Sequence, residues 1–211
     1  LDFAGGANNS NSEYIDLSAH VDDFKNLSEG SFSAWIRSDG ANPGVILAAS
    51  DQSDGSSELR FFVFGSSSVL RLDGRNDGTS IGGLQGTTGL ADGLLHHVMA
   101  TVDASGNAAL YVDGMLESTT TGMGFFDDVT GLDTMGIGRS KDSTPGGGQW
   151  FFDGLIDDLA IWNRALSVQE VQHIYIQGRD RTSAMFVPEP STLFLFGLGL
   201  LALLVGRRRR S

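Results

Sequence analysis

His96 and His97 stand side by side, as do Asp157 and Asp158, and three tryptophans punctuate the chain at 35, 150 and 162. Imidazoles serve as bases or metal ligands, and paired carboxylates cleave glycosides. Indole rings offer faces on which sugars can lie. Spacing decides among these. Neighbours on a strand point to opposite faces, so neither pair can act together on one atom. One histidine is expected to pack in the sheet and bond a neighbour while the other lies outside it. A glycosidase needs two carboxyls about 5–9 Å apart across one cleft. Asp157 or Asp158 would need Glu13, Glu58 or Glu117 at that separation. Gly146-Gly147-Gly148 lacks the lysine and helix of a phosphate loop. Enzymatic chemistry therefore has little support. Trp35 and Trp162 fall within strand-like runs and are expected in the core. Trp150 follows the Gly-rich segment 145–149 and is the candidate ligand contact. Asp73-Gly74-Arg75-Asn76-Asp77-Gly78 is oxygen-rich, but Arg75 breaks the calcium-loop pattern, so it reads as a turn.

The elements that must position these residues are short strands separated by Gly, Asp, Asn and Ser. Ser31-Phe32-Ser33-Ala34-Trp35-Ile36-Arg37 alternates, with Phe32, Ala34 and Ile36 on one face. Residues 58–64 form a strongly apolar strand, paired with 68–72 across Gly65-Ser66-Ser67. Residues 94–102 and 108–112 are strands, with 103–107 as the turn between them. Asp113-Gly114 is a two-residue hairpin signal. Residues 155–162 form the last strand. Ser167 and Glu170 make a capping box for one helix, with Val168, Val171, Ile174 and Tyr175 at helical spacing and Gly178 at its end. This pattern predicts an all-β, antiparallel two-sheet sandwich with one short late helix.

The chain has 211 residues, no Cys and a net charge of −12. An acidic exterior repels phosphate, which argues against nucleic acid as a partner. Without Cys there is neither a disulfide scaffold nor Cys-ligated zinc. The end of the chain is built differently. Val187-Pro188-Glu189-Pro190-Ser191 is a stiff polar spacer. Residues 193–205 are wholly apolar, and Arg207, Arg208, Arg209 and Arg210 follow Gly206. A helix over 191–206 would be about 24 Å long at ~1.5 Å per residue, the short end for a bilayer core of about 30 Å. Four arginines are costly to translocate, which predicts a C-terminus on the cytoplasmic side and a body outside. Loss of everything from Pro188 onward removes four arginines and one glutamate and takes the net charge from −12 to −15.

The spacer, apolar segment and basic stop together resemble the PEP-CTERM sorting signal of Gram-negative bacteria. That resemblance implies recognition by an exosortase-type processing enzyme and removal of the membrane helix. It also implies passage through the inner membrane to the cell surface or extracellular matrix, and a signal peptide ahead of Leu1. The body resembles the LamG-like, concanavalin A-like jelly rolls. The residues that carry this are Leu1-Asp2-Phe3-Ala4-Gly5-Gly6 with Glu13-Tyr14-Ile15-Asp16-Leu17, Phe32-Ser33-Ala34-Trp35-Ile36, and His96-His97-Val98-Met99-Ala100-Thr101-Val102-Asp103 with Leu110-Tyr111-Val112-Asp113-Gly114. Phe152-Asp153-Gly154-Leu155-Ile156-Asp157-Asp158-Leu159 with Asn163-Arg164-Ala165-Leu166-Ser167 closes the match. Leu95 departs from the family's Trp before the histidine pair. The division expected is a sandwich domain at 1–178, a linker at 179–187 and a sorting tail at 188–211. The resemblance implies a structural calcium, with Asp157 and Asp2 as candidate ligands, and an extracellular polysaccharide as partner. The expected role is non-enzymatic carbohydrate binding or adhesion. The alternatives are a polysaccharide-acting glycoside hydrolase and a purely structural module.

Overall fold

The structure, a computed structural model, describes residues 1–3, 13–38, 44–53, 55–65, 67–140 and 150–180. The Gly5-Gly6 pair, the glycine-rich segment 145–149 and linker residues 181–187 lie outside the described residues. So does the sorting tail with Pro188, Glu189, Pro190, its helix and Arg207 to Arg210. No described helix is long and apolar enough to cross a membrane.

Residues 1–176 form one compact unit. Its described strands are β1 (Asp2–Phe3), β2 (Ile15–Asp16), β3 (Gly30–Ser38), β4 (Gly44–Ser50), β5 (Glu58–Phe64), β6 (Val69–Asn76), β7 (Thr79–Gly89), β8 (Leu95–Val102), β9 (Ala108–Val112), β10 (Met115–Thr120), β11 (Thr134–Ile137) and β12 (Gly154–Trp162). They pair antiparallel into two six-stranded sheets, in the orders β1-β12-β3-β8-β9-β10 and β2-β11-β4-β5-β6-β7. The predicted sandwich is therefore observed. The two N-terminal segments read together in the sequence part company, since β1 joins the first sheet and β2 the second.

Alternation explains the core. Phe32, Ala34 and Ile36 of β3 face inward with Val98, Ala100 and Val102 of β8, against Leu59, Phe61 and Val63 of β5 and Leu70 and Leu72 of β6. Phe125 and Phe126 plug the interior. Their rings lie 5.2 and 5.6 Å from Phe32, which also stacks on Phe61 at 5.9 Å. Each such ring contributes about 1.5–3 kcal/mol through burial.

The Asp113-Gly114 hairpin forms as expected. Both residues have positive φ (50° and 74°), the backbone twist that suits a tight turn between right-twisted strands. Gly154 cannot be replaced without movement: at φ 133° a Cβ would sit 2.0 Å from the carbonyl oxygen of Arg37.

The capping box is present: the Ser167 amide donates to Glu170 at 2.9 Å, and the Glu170 amide donates to Ser167 Oγ at 3.4 Å. The helix it starts, α1 (Val168–Arg179), runs one residue beyond the expected stop at Gly178. Val171 and Ile174 pack with Leu166 on Met99 and Tyr111, on the outside of the first sheet. Trp35 and Trp162 point to this outer layer and not to the main core; Trp35 stacks on Tyr175 at 5.9 Å. Strand parity accounts for the correction: if Phe32, Ala34 and Ile36 face in, Trp35 must face out.

Glu117, at a bulge in β10, ties the edge of the first sheet to the edge of the second. It accepts bonds from the amides and hydroxyls of Thr87 and Thr88 at 2.6–2.9 Å. Burial alone would raise its carboxyl, but these four donors outweigh it and hold the pKa at about 2.

Candidate functional site

The histidines separate as the parity argument requires. His97 is fully buried outside the first sheet, with Nε2 2.8 Å from Ser33 Oγ and its ring beside Trp35 and Tyr175. His96 turns the other way and is held between Asp113 (Nδ1, 2.8 Å) and Asp92 (Nε2, 3.2 Å). Burial pushes His97 down to about 4, a shift that the nearby Asp113 charge opposes. Burial pushes His96 down, but the hydrogen bonds it makes to Asp113 and Asp92 outweigh this and leave that pKa raised.

These shifts act on stability in opposite directions. The depressed His97 contributes stability above its unfolded value near 6.5. That stability is lost as pH falls towards 4, because the unfolded chain takes up a proton the folded state refuses. The raised His96 contributes below 6.5, and its contribution fades as pH rises through its folded value. Acidification from pH 6.5 to 4.5 is expected to cost about 2 kcal/mol through His97. In His97→Gln the fall in melting temperature over that range should shrink. An equal fall in the two proteins would remove His97 as its cause.

Asp157 and Asp158 sit at a bulge in β12, where the register slips between Asp157 and Ala160 and Asp158 takes a left-handed φ of 47°. Both side chains are exposed. Asp2 lies across from Leu155, so Asp2 and Asp157 share the outward face of the first sheet as diagonal neighbours. The glutamates that could complete a hydrolytic pair are placed elsewhere. Glu117 is four strands away in the same sheet, roughly 19 Å at ~4.8 Å per strand. Glu58 belongs to the other sheet, and Glu13 precedes β2 at that sheet's edge.

The most developed polar surface lies on the outside of the second sheet. With Leu59, Phe61 and Val63 turned inward, β5 presents Glu58, Arg60, Phe62 and Phe64 outward; β6 likewise presents Arg71, Asp73 and Arg75. The register sets Glu58 across from Arg75, Arg60 across from Asp73 and Phe62 across from Arg71. Opposite charges thus meet strand to strand. Arg60 donates to Asp73 through Nε at 3.1 Å, and its Nε lies 3.2 Å from Glu58. Glu58, 2% exposed, also receives Arg75 and the Ser140 hydroxyl at 3.3 Å.

Trp150 lies over this lattice at 40% exposure, with its ring 6.1 Å from Phe62 and 6.4 Å from Phe64. The Arg60 guanidinium is 5.2 Å from the Trp150 ring, a cation–π contact. Beside them Ala48 on β4 pairs with Arg60 and Gly83 on β7 with Asp73, while Gln85 on β7 pairs with Arg71. The result is a shallow floor of fixed charge with an aromatic wall.

Trp150 is thus the one candidate ligand residue found on this face. Asp2 and Asp157 lie on the outer side of the opposite sheet. Arg60, Arg71, Arg75 and Phe64 were not singled out in the sequence. The segment read as a turn at Asp73 is strand as far as Asn76, with only Asp77 and Gly78 turning. Its charges pair across to β5, which favours the ladder over the loop.

Two face-packed antiparallel sheets, with an open aromatic beside fixed polar groups, define a lectin-like sandwich. The chain belongs to the concanavalin A-like lectin/glucanases superfamily, whose family model matches residues 9–172. A PEP-CTERM protein-sorting motif matches residues 186–210, so this is an exported, surface-targeted protein. The fold is similar to that of the CBM40 module of the Ruminococcus gnavus IT-sialidase, solved with α2,3-sialyllactose bound (TM-score 0.71, 18% identity, covering 83% of this chain and 95% of that one). It is similar to part of a leech intramolecular trans-sialidase (0.69, 20% identity, 82% of this chain and 26% of that one). A SAP-like pentraxin of Limulus polyphemus is also similar (0.60, 19% identity, 82% and 80%). No match was found among curated protein sequences. At these identities the likeness establishes the fold.

Proposed function

We propose that this protein is a non-enzymatic carbohydrate binder of the extracellular layer, serving adhesion, with the outer face of its second sheet as the binding surface. The observation that carries the reading is Trp150, open to solvent above a lattice of arginines and carboxylates already locked in place. Preformed donors and acceptors lose little freedom on binding, and an indole face suits the apolar side of a sugar ring. Glu58 and Asp73 are adjacent carboxylates, but both are held by Arg60. Side chains so held on one sheet face do not close on a glycosidic bond from two sides, which favours a binder over a hydrolase. The module of similar fold solved with a sialylated sugar agrees with this reading.

Affinity electrophoresis tests it. In a gel cast with polysaccharide extracted from the producing cells' matrix, the exported protein should be retarded. Trp150→Ala should lose about tenfold or more in affinity, the scale of a central aromatic contact. Equal mobility of both proteins in loaded and blank gels would overturn the proposal.

Calcium at Asp157 is a second proposal, favoured by the register that sets this side chain on the same outward face as Asp2. The described residues offer these two carboxylates and gather no group of three His, Asp or Glu side chains. Backbone carbonyls and water would have to complete the six to eight oxygens that calcium takes. Bound calcium should raise the melting temperature of the wild type and not of Asp157→Ala, since a ligand of the folded state stabilises it. A wild type indifferent to millimolar calcium would retire the site.

A further inference from the structure

Arg71 is the least committed cation of the platform. Arg60 is spent on Asp73 and Glu58, and Arg75 is bound to Glu58. Arg71 Nε is buried and has no hydrogen-bond partner among the described residues. Its ion-pair oxygen, Asp73 Oδ2, lies 3.4 Å away and is shared with Arg60 at 3.4 Å. Among the described residues three guanidiniums here face two carboxylates, one more cation than anion, on a chain whose net charge is −12. The Arg71 side chain is 32% exposed and its guanidinium lies 4.9 Å from the Phe64 ring. The Phe64 ring also lies 6.4 Å from that of Trp150. A guanidinium and an open indole thus both neighbour one aromatic, within the span of one or two sugar residues.

We propose that the sugar taken by this face is acidic: a uronate whose carboxylate pairs with Arg71 while its own or the adjoining ring lies on Trp150. This rests on the carbohydrate-binding reading and adds the chemical class of the ligand. A guanidinium accepts a carboxylate through two parallel N–H bonds, stronger than bonds between neutral groups. A neutral sugar would leave the excess cation unanswered.

Polygalacturonate and its fully methyl-esterified form share one backbone and differ in charge. Calorimetry of the exported protein should find the acid polymer bound about tenfold or more tighter than the ester, the worth of one charge-assisted pair. Arg71→Gln should bring the acid polymer down to the level of the ester, so that the ratio of the two affinities falls to about one. Arg71→Lys should fall between, keeping the charge without the fork. Trp150→Ala should weaken both polymers.

Equal binding of acid and ester by the wild type, with both weakened in Trp150→Ala, would overturn the acidic class and leave the carbohydrate reading standing. An acid preference that survives Arg71→Gln would overturn the assignment to Arg71. Binding of neither polymer would overturn the uronate proposal, and retention by the matrix polysaccharide would then decide the wider reading on its own.

Discussion

Glu58→Ala is expected to destabilise the folded body by about 3–5 kcal/mol, the cost of removing one partner from a buried charge cluster. Glu58 is 2% exposed and receives Arg60, Arg75 and Ser140. Without it, Arg60, Arg71 and Arg75 are left on a partly desolvated sheet face with Asp73 as the remaining carboxylate of the lattice. For a body of this size the melting temperature should fall by roughly 6–20 °C, at about 2–4 °C per kcal/mol. Adding Arg75→Leu should recover part of that loss, because it removes one of the cations that Glu58 compensated, and the two effects should be clearly non-additive. Binding should fall further than stability, since Arg60 would no longer be fixed beneath Trp150. A melting temperature within 2 °C of wild type would show that the charge lattice does not hold this face together.

The second large effect concerns delivery. Replacing Pro188, Glu189 and Pro190 by alanine should leave the protein unprocessed and in the membrane fraction, with little reaching the surface. The PEP-CTERM match at residues 186–210 implies processing by an exosortase-type enzyme, and the spacer is the part that such an enzyme would read. The apolar run and Arg207 to Arg210 remain in that variant, so membrane insertion should continue while release stops. Immunoblots of fractionated cells give the answer. A normal yield of the shortened, surface-located form would refute the role given to the spacer.

Period-two alternation made most of the sandwich legible in the sequence. Phe32, Ala34 and Ile36 face inward as read, Asp113-Gly114 turns as read, and Ser167 with Glu170 caps the helix as read. Strands β4 and β7 escaped notice for a physical reason. Val45 to Ala49 is apolar on both faces and shows no alternation, and β7 is rich in Gly, Ser and Thr, which signal turns. The tryptophans were harder. Size and apolarity suggested the core for Trp35 and Trp162, but parity sends Trp35 out, and α1 covers that face only because Val171 and Ile174 lie on the matching side of the helix.

The arginine platform was within reach of the same reasoning. Glu58, Arg60, Arg71, Asp73 and Arg75 are spaced two apart on two strands already expected to pair. Extending the hairpin register past Leu72 brings opposite charges face to face. What hid it was the oxygen-rich run after Leu72, whose composition imitates a loop. Trp150 could be suspected from its position after a glycine-rich segment. Its place above Arg60 depends on a long-range fold that local pattern does not encode.

A glycan array probed with the exported protein and its Trp150→Ala and Arg71→Gln variants tests the central claim most directly. Wild type should bind a defined set of glycans, Trp150→Ala should lose that set, and Arg71→Gln should lose its acidic members. Binding to no glycan, or the same glycans bound equally by all three proteins, would contradict the assignment of this face as the binding surface.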